Sequence, residues 1–185
     1  MFNIPSIIEY FPSHGVSKNK KYHYGKTALH NAARYNSNLT VEVLISHGAN
    51  INEKDIKGKT ALHIAVKYNS KETAEVLISH GANINEKDKN GETALHFAAI
   101  NNSKETAEVL ISHGANINEK DKNGETALHI AAKYNSKETA EVLISHGANI
   151  NEKNEDGETP LDIAALMNNE EENSFSDTFE DEFYY

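Results

Sequence analysis

Ten histidines are the residues of this chain best equipped for proton transfer or metal ligation, and nine of them recur on a fixed spacing. His30, His63, His96 and His129 stand in T-A-L-H segments, and His14, His47, His80, His113 and His146 each precede a glycine. Equivalent residues of stacked helical layers lie about 8 to 10 Å apart, too far to share a metal at bonds of about 2 Å. Runs such as Glu86-Lys87-Asp88 supply paired carboxylates. They recur between apolar segments, with no apolar pocket to raise a pKa for acid–base work, so they are expected on a solvated surface. The glycines are spaced for turns, no phosphate-cradling loop or nucleophile elbow is present, and with no cysteine there is no thiolate metal site or disulfide. These side chains predict no metal, no cofactor and no catalysis.

Their periodicity points to the elements that carry them. Segments beginning at Gly25, Gly58, Gly91 and Gly124 repeat every 33 residues, and a fifth, GETPLDIAALMNN, begins at Gly157. Asp88-Lys89-Asn90-Gly91 reads as a type I turn with Asp first and Gly last. Thr93 suits the N-cap of a short helix through Ala94, Leu95, Phe97, Ala98 and Ala99. Asn102 stands where the chain must reverse, in a left-handed conformation that Asn tolerates, and Ser103 is placed to cap a second helix ending at Gly114. Neither helix is long enough to be stable alone, so each unit must bury its apolar face on its neighbours.

A 33-residue period of a turn, T-A-L-H-x-A-A, a paired helix and H-G-A-N-I-N resembles the ankyrin repeat, from about Tyr22 to Asn169. Two departures stand out. The family's T-P-L-H is T-A-L-H in four units, with Pro160 alone matching, and its interhelix Gly is Asn36, Asn69, Asn102 and Asn135 here. The resemblance implies an all-α repeat solenoid with β-hairpin fingers: four full repeats (22–54, 55–87, 88–120, 121–153) flanked by partial ones. The first of these, 1–21, holds an outer helix and a linker; the last, 154–169, is followed by an acidic aromatic tail, 170–185. It also implies that the T-x-L-H histidine bonds neighbouring backbone and stitches the units together.

Charge and composition narrow the function. The net charge is −10, but seven acidic residues after Asn169 leave the body at only −3. That balance argues against a phosphate-backbone binder, so nucleic acid is not expected. No apolar run approaches membrane-spanning length, and the N-terminus lacks the pattern of a signal peptide, so a cytoplasmic or nuclear monomer is the expectation. The N-terminal outer helix, with Ile4, Ile7, Ile8 and Phe11 on one face, reads as a cap or as the edge of a longer array. In the tail, Phe175, Phe179 and Phe183 are spaced for one helical face, and a disordered solubilising role or tail-mediated self-association stays open.

Units 55–87 and 88–120 are identical from the interhelix Asn through the outer helix, and differ in the finger and inner helix. In the ankyrin fold those variable positions line a concave groove. The candidate partner-binding set is therefore Tyr24, Lys26, Arg34, Tyr35, Ile56, Lys57, Lys59, Lys67, Tyr68, Lys89, Asn90, Ile100, Asn101, Lys122, Asn123, Lys133 and Tyr134. Its aromatic and basic ladder, Arg34-Tyr35, Lys67-Tyr68 and Lys133-Tyr134, is broken by Ile100-Asn101, and suits a protein partner with an acidic or phosphorylated segment. Two alternatives remain at this level. The tyrosines pack on the next unit and hold the stack, or the chain is a structural spacer, a piece of a longer scaffold whose contacts come from the acidic tail.

Overall fold

In the computed structural model, residues 19–167 are described. The N-terminal outer helix and the aromatic tail expected from the sequence lie outside them. After a single 3-10 turn at His23–Gly25, the chain runs through helix pairs: α1 (Ala28–Arg34) and α2 (Asn38–Ser46), α3 (Ala61–Lys67) and α4 (Lys71–Ser79), α5 (Ala94–Ile100) and α6 (Lys104–Ser112), α7 (Ala127–Lys133) and α8 (Lys137–Ser145). A ninth helix, α9, covers 160–167. Each inner helix packs on the next inner helix and on the outer helix of its own unit, which gives a stacked solenoid.

The core is one continuous column of small layers. Leu29, Leu62, Leu95 and Leu128 of the inner helices are buried, as are Val41, Leu77, Leu110 and Leu143 of the outer ones, with alanines between them that let the helices approach closely. The column does not end in a buried layer within the described residues. Leu161 occupies the position of Leu128, yet is 76% exposed where Leu128 is 4% exposed.

Inner-helix N-termini are closed by threonine and histidine together. The Thr60 amide and hydroxyl both reach His63 Nδ1, at 3.1 and 2.9 Å, and His63 Nε2 lies 3.3 Å from the Glu92 carbonyl of the next unit. The same three contacts recur at His30, His96 and His129. A backbone amide only donates and a carbonyl only accepts, so Nδ1 must be bare and Nε2 protonated, which fixes a neutral tautomer. The histidines thus stitch units, as the resemblance implied. In α9 Asp162 substitutes: its carboxylate takes the Thr159 amide and hydroxyl, with no second nitrogen to reach onward.

Outer helices begin differently from the sequence reading. Ser103 occupies the N-cap position, but its side chain makes no capping bond. The cap comes from the preceding unit. Asn36, Asn69, Asn102 and Asn135 hold φ near +50° as expected, and Asn36 Oδ1 accepts the Thr73 amide at 3.3 Å while its Nδ2 donates to Glu72 at 2.8 Å. Asn102 bonds Thr139 and Glu138 in the same way. Glycine would take this turn more easily but would supply neither bond. Bonding to Asn holds the carboxyls of Glu72, Glu105 and Glu138 below their ordinary range.

The expected β-hairpins take another form. Among the described residues there is no strand. The second to fourth fingers are turns whose aspartate absorbs its own amides, with Asn154 in that place in the fifth: Asp88 Oδ1 accepts from the Asn90 and Glu92 amides, and Gly91 N donates to Asp88 O at 3.1 Å. Neighbouring fingers then share one backbone bond, from Lys89 N to Lys57 O and from Lys122 N to Asn90 O. One bond per unit does not make a ladder. Gly91 is required here, since φ is +82° and an added Cβ would come within 2.9 Å of Lys122 N. The Glu-Lys runs are also more than a solvated surface. Lys54 bridges Glu86 at 2.7 Å and the Lys87 carbonyl at 2.9 Å, and Lys21, Lys87 and Lys120 repeat the bridge to the unit after their own.

Candidate functional site

Fingers and inner-helix ends from successive units form a surface on which side chains recur at the unit spacing. At the inner-helix ends, Tyr35, Tyr68 and Tyr134 are 71%, 46% and 54% exposed. The sequence left open whether these rings pack on the next unit; about half or more of each faces solvent. The Arg34 guanidinium lies 5.6 Å from the Tyr35 ring centre and 5.4 Å from that of Tyr68, and Lys67 Nζ stands 5.8 Å from the Tyr68 ring. Cation–π contact therefore joins the first two rungs of the ladder.

The finger residues take distinct roles. Tyr24 stacks on His23 with ring centres 4.1 Å apart, and its carbonyl accepts the Ile56 amide. Ile56 leaves half its side chain exposed, and Lys26 and Lys57 stand beside it along the finger row. Lys59 lays its ammonium 4.1 Å from the Phe97 ring centre, and partial burial depresses its pKa. Lys89, Asn90, Lys122 and Asn123 sit at the exposed tips, positioned by the aspartate turns.

Where Ile100 interrupts the ladder, the surface is hollow. A pocket of about 320 Å³ opens between Asn90, Lys122, Ile100, Ile130 and Tyr134. Asn101 beside it is exposed, and its side-chain amide donates back to the Phe97 carbonyl at 2.8 Å. Lys133 differs from Lys67, because Glu125 lies 3.5 Å from its ammonium.

Glutamates complete the pattern, and the candidate set omitted them. Lys26 and Lys59 precede their threonines on the finger, and the same position holds Glu92, Glu125 and Glu158 in later units. Burial raises the Glu92 pKa, against the bond from Asn90. Their signal was present in the sequence as an exchange of Lys59 for Glu92 between near-identical units. Read as a difference to be explained rather than as a change of sign, it left the glutamates out.

Among the described residues no three His, Cys, Asp or Glu side chains converge as metal ligands, and no helix is long and apolar enough to cross a membrane. The four T-A-L-H histidines are spent on capping, and His47, His80, His113 and His146 bond the carbonyl of their own helix four residues back. A family model described as ankyrin repeats (3 copies) matches residues 1–88, 50–121, 81–154 and 116–172. The search of curated proteins gives no match.

Proposed function

Since the chain belongs to the ankyrin repeat family, whose members generally act as protein–protein interaction modules, we propose that it binds a partner protein non-catalytically through its fingers and inner-helix ends. The observation that carries this reading is the exposed tyrosine series with cations beside it. Tyrosine gives a large contact area at low entropic cost, and about half or more of each of these residues is exposed. Lys26, Arg34, Lys57, Lys59 and Lys67 have no carboxylate within 4 Å among the described residues, which favours an acidic or phosphorylated partner segment. The pocket beside Ile100, lined by Glu92, Asp121, Lys122 and Glu125 as well as by Ile130 and Tyr134, accepts an uncharged side chain from the same partner. The chain acts as a monomer in the cytoplasm or nucleus, without nucleic acid or membrane.

The test is a double variant, Tyr68→Ala with Lys67→Glu, measured against a partner recovered by the intact chain. Affinity should fall by more than about 1 kcal/mol while the melting midpoint stays within a degree or two, because hot-spot loss acts on binding. Full retention of affinity, or collapse of the midpoint, returns these residues to the scaffold. A control pair on an outer helix, Glu75→Lys with Lys104→Glu, should leave binding unchanged.

A further inference from the structure

The fingers change sign along the array. In the first two units the fingers and inner-helix ends carry Lys26, Arg34, Lys57, Lys59 and Lys67, with Lys26 and Lys59 half-buried, and none of these cations meets a carboxylate within 4 Å among the described residues. Lysines at the finger bases, by contrast, are each held by a glutamate at 2.7 or 2.8 Å. From the third unit on, glutamate replaces lysine before the threonine, at Glu92, Glu125 and Glu158, and the fifth finger has Glu155 and Asp156 at its tip. In the fourth unit the Lys133 cation is already answered by Glu125. Lys89 balances Glu92 in the third unit, Lys122 and Lys133 outweigh Glu125 in the fourth, and only the fifth finger is negative, so the surface runs from strongly positive through near-neutral to negative.

Resting on the partner-binding reading above, we infer that the partner segment is ordered in charge: anionic side chains over the first two units, uncharged residues over the third and fourth, and cationic residues over the fifth. Screening makes order matter more than the total. Charges more than about 8 Å apart are largely screened at physiological salt, and stacked units are about 8 to 10 Å apart, so each finger acts chiefly on the ligand residue above it. An anion displaced toward the fifth finger meets like charge and is rejected. Five units span about 40 Å, the reach of about 12 extended residues, so one peptide can sample the whole gradient.

Three synthetic peptides of one composition test the order. Two are blocks, six Glu then Leu then six Lys, and the reverse; the third alternates Glu and Lys on both sides of Leu. Each is titrated into the 15N-labelled full chain at 150 mM salt. At least one block peptide should bind tenfold or more tightly than the alternating one, with its Glu half shifting the amides of Arg34, Lys57 and Lys67. Lys57→Glu with Lys59→Glu should remove that preference; the fold tolerates Glu at the second site, since later units carry it there. Equal affinity for all three peptides, a Glu half seated over Glu155 and Glu158, or no binding at millimolar concentration overturns the inference. Shifts confined to the outer helices would instead remove the partner-binding surface itself. A version with phosphoserines in place of the glutamates identifies the anion: tighter binding names phosphate and weaker binding names carboxylate, with the order upheld in both.

Discussion

Acid should loosen this protein through a histidine before it reaches the carboxylates. His63 is almost fully buried, its Nδ1 already takes two bonds from Thr60, and its Nε2 hydrogen is committed to the Glu92 carbonyl. A proton added at Nδ1 would face an amide donor, and burial pushes the group down from 6.5 to about 4. The folded state then refuses a proton that the unfolded chain accepts at its ordinary pKa. This contribution is fully present above pH 6.5, is lost as pH falls from 6.5 to about 4, and levels off below that. At 1.36 kcal/mol for each pKa unit the whole window is worth about 3 kcal/mol, of which about 2 kcal/mol is gone at pH 5. His30 and His96 are displaced in the same direction, chiefly by burial, and add to the loss. Urea unfolding at pH 7, 6 and 5 measures the total. His63→Gln isolates one residue, because Gln at this position can still accept the Thr60 amide but does not titrate. The variant should be less stable at pH 7, and should lose about 2 kcal/mol less than the parent between pH 7 and pH 5. An equal loss in both proteins, or an NMR titration of His63 with a midpoint near 6.5, refutes the buried neutral histidine.

Three further outcomes follow from packing and backbone. Leu95→Ala should cost about 2 to 5 kcal/mol in a urea melt by opening a cavity in the middle layer, whereas Lys122→Ala at an exposed tip should cost under about 0.5 kcal/mol. Asn36→Gly removes the cap on the next outer helix, and should destabilise by about 1 kcal/mol even though glycine adopts the turn more readily; an unchanged or raised stability would deny the cap between units. Gly91→Ala and Gly114→Ala both force alanine to a positive φ, but only the first drives its Cβ into the neighbouring finger. Gly91→Ala should therefore be the costlier of the two, and equal melting temperatures would contradict that close approach.

The unit spacing, the inner helices, the interhelix asparagines and the Asp-Gly turns were all legible in the sequence, because each rests on a local rule that its own residues satisfy. What lay beyond local rules was less so. The outer-helix cap belongs to Asn36, 37 residues before the Thr73 amide that it accepts, and nothing about Ser70 reveals that its own side chain leaves the cap unmade. The fingers look like hairpins until Asp88 is seen to absorb two amides, leaving a single bond for the neighbour. Glu86 and Lys87 read as solvated because their types are polar, yet their contacts lie one unit away. In the candidate site, the aromatic positions could be read from the helix ends, whereas the pairing of Lys133 with Glu125 required two elements to be brought together. The return bond of Asn101 to the Phe97 carbonyl was likewise hidden, since its residue type alone does not show that the side chain folds back within its own turn.

The uneven distribution of bonds between units has a mechanical consequence. At the finger tips adjacent units are tied by one backbone bond, while the finger bases carry the lysine bridges and histidine bonds and the interhelix turns carry the asparagine caps. Under a bending or stretching load the singly tied tips yield first and the finger bases serve as the pivot. The array is thus a leaf spring that is softest at its finger tips, and its curvature can change there without disturbing the leucine column behind.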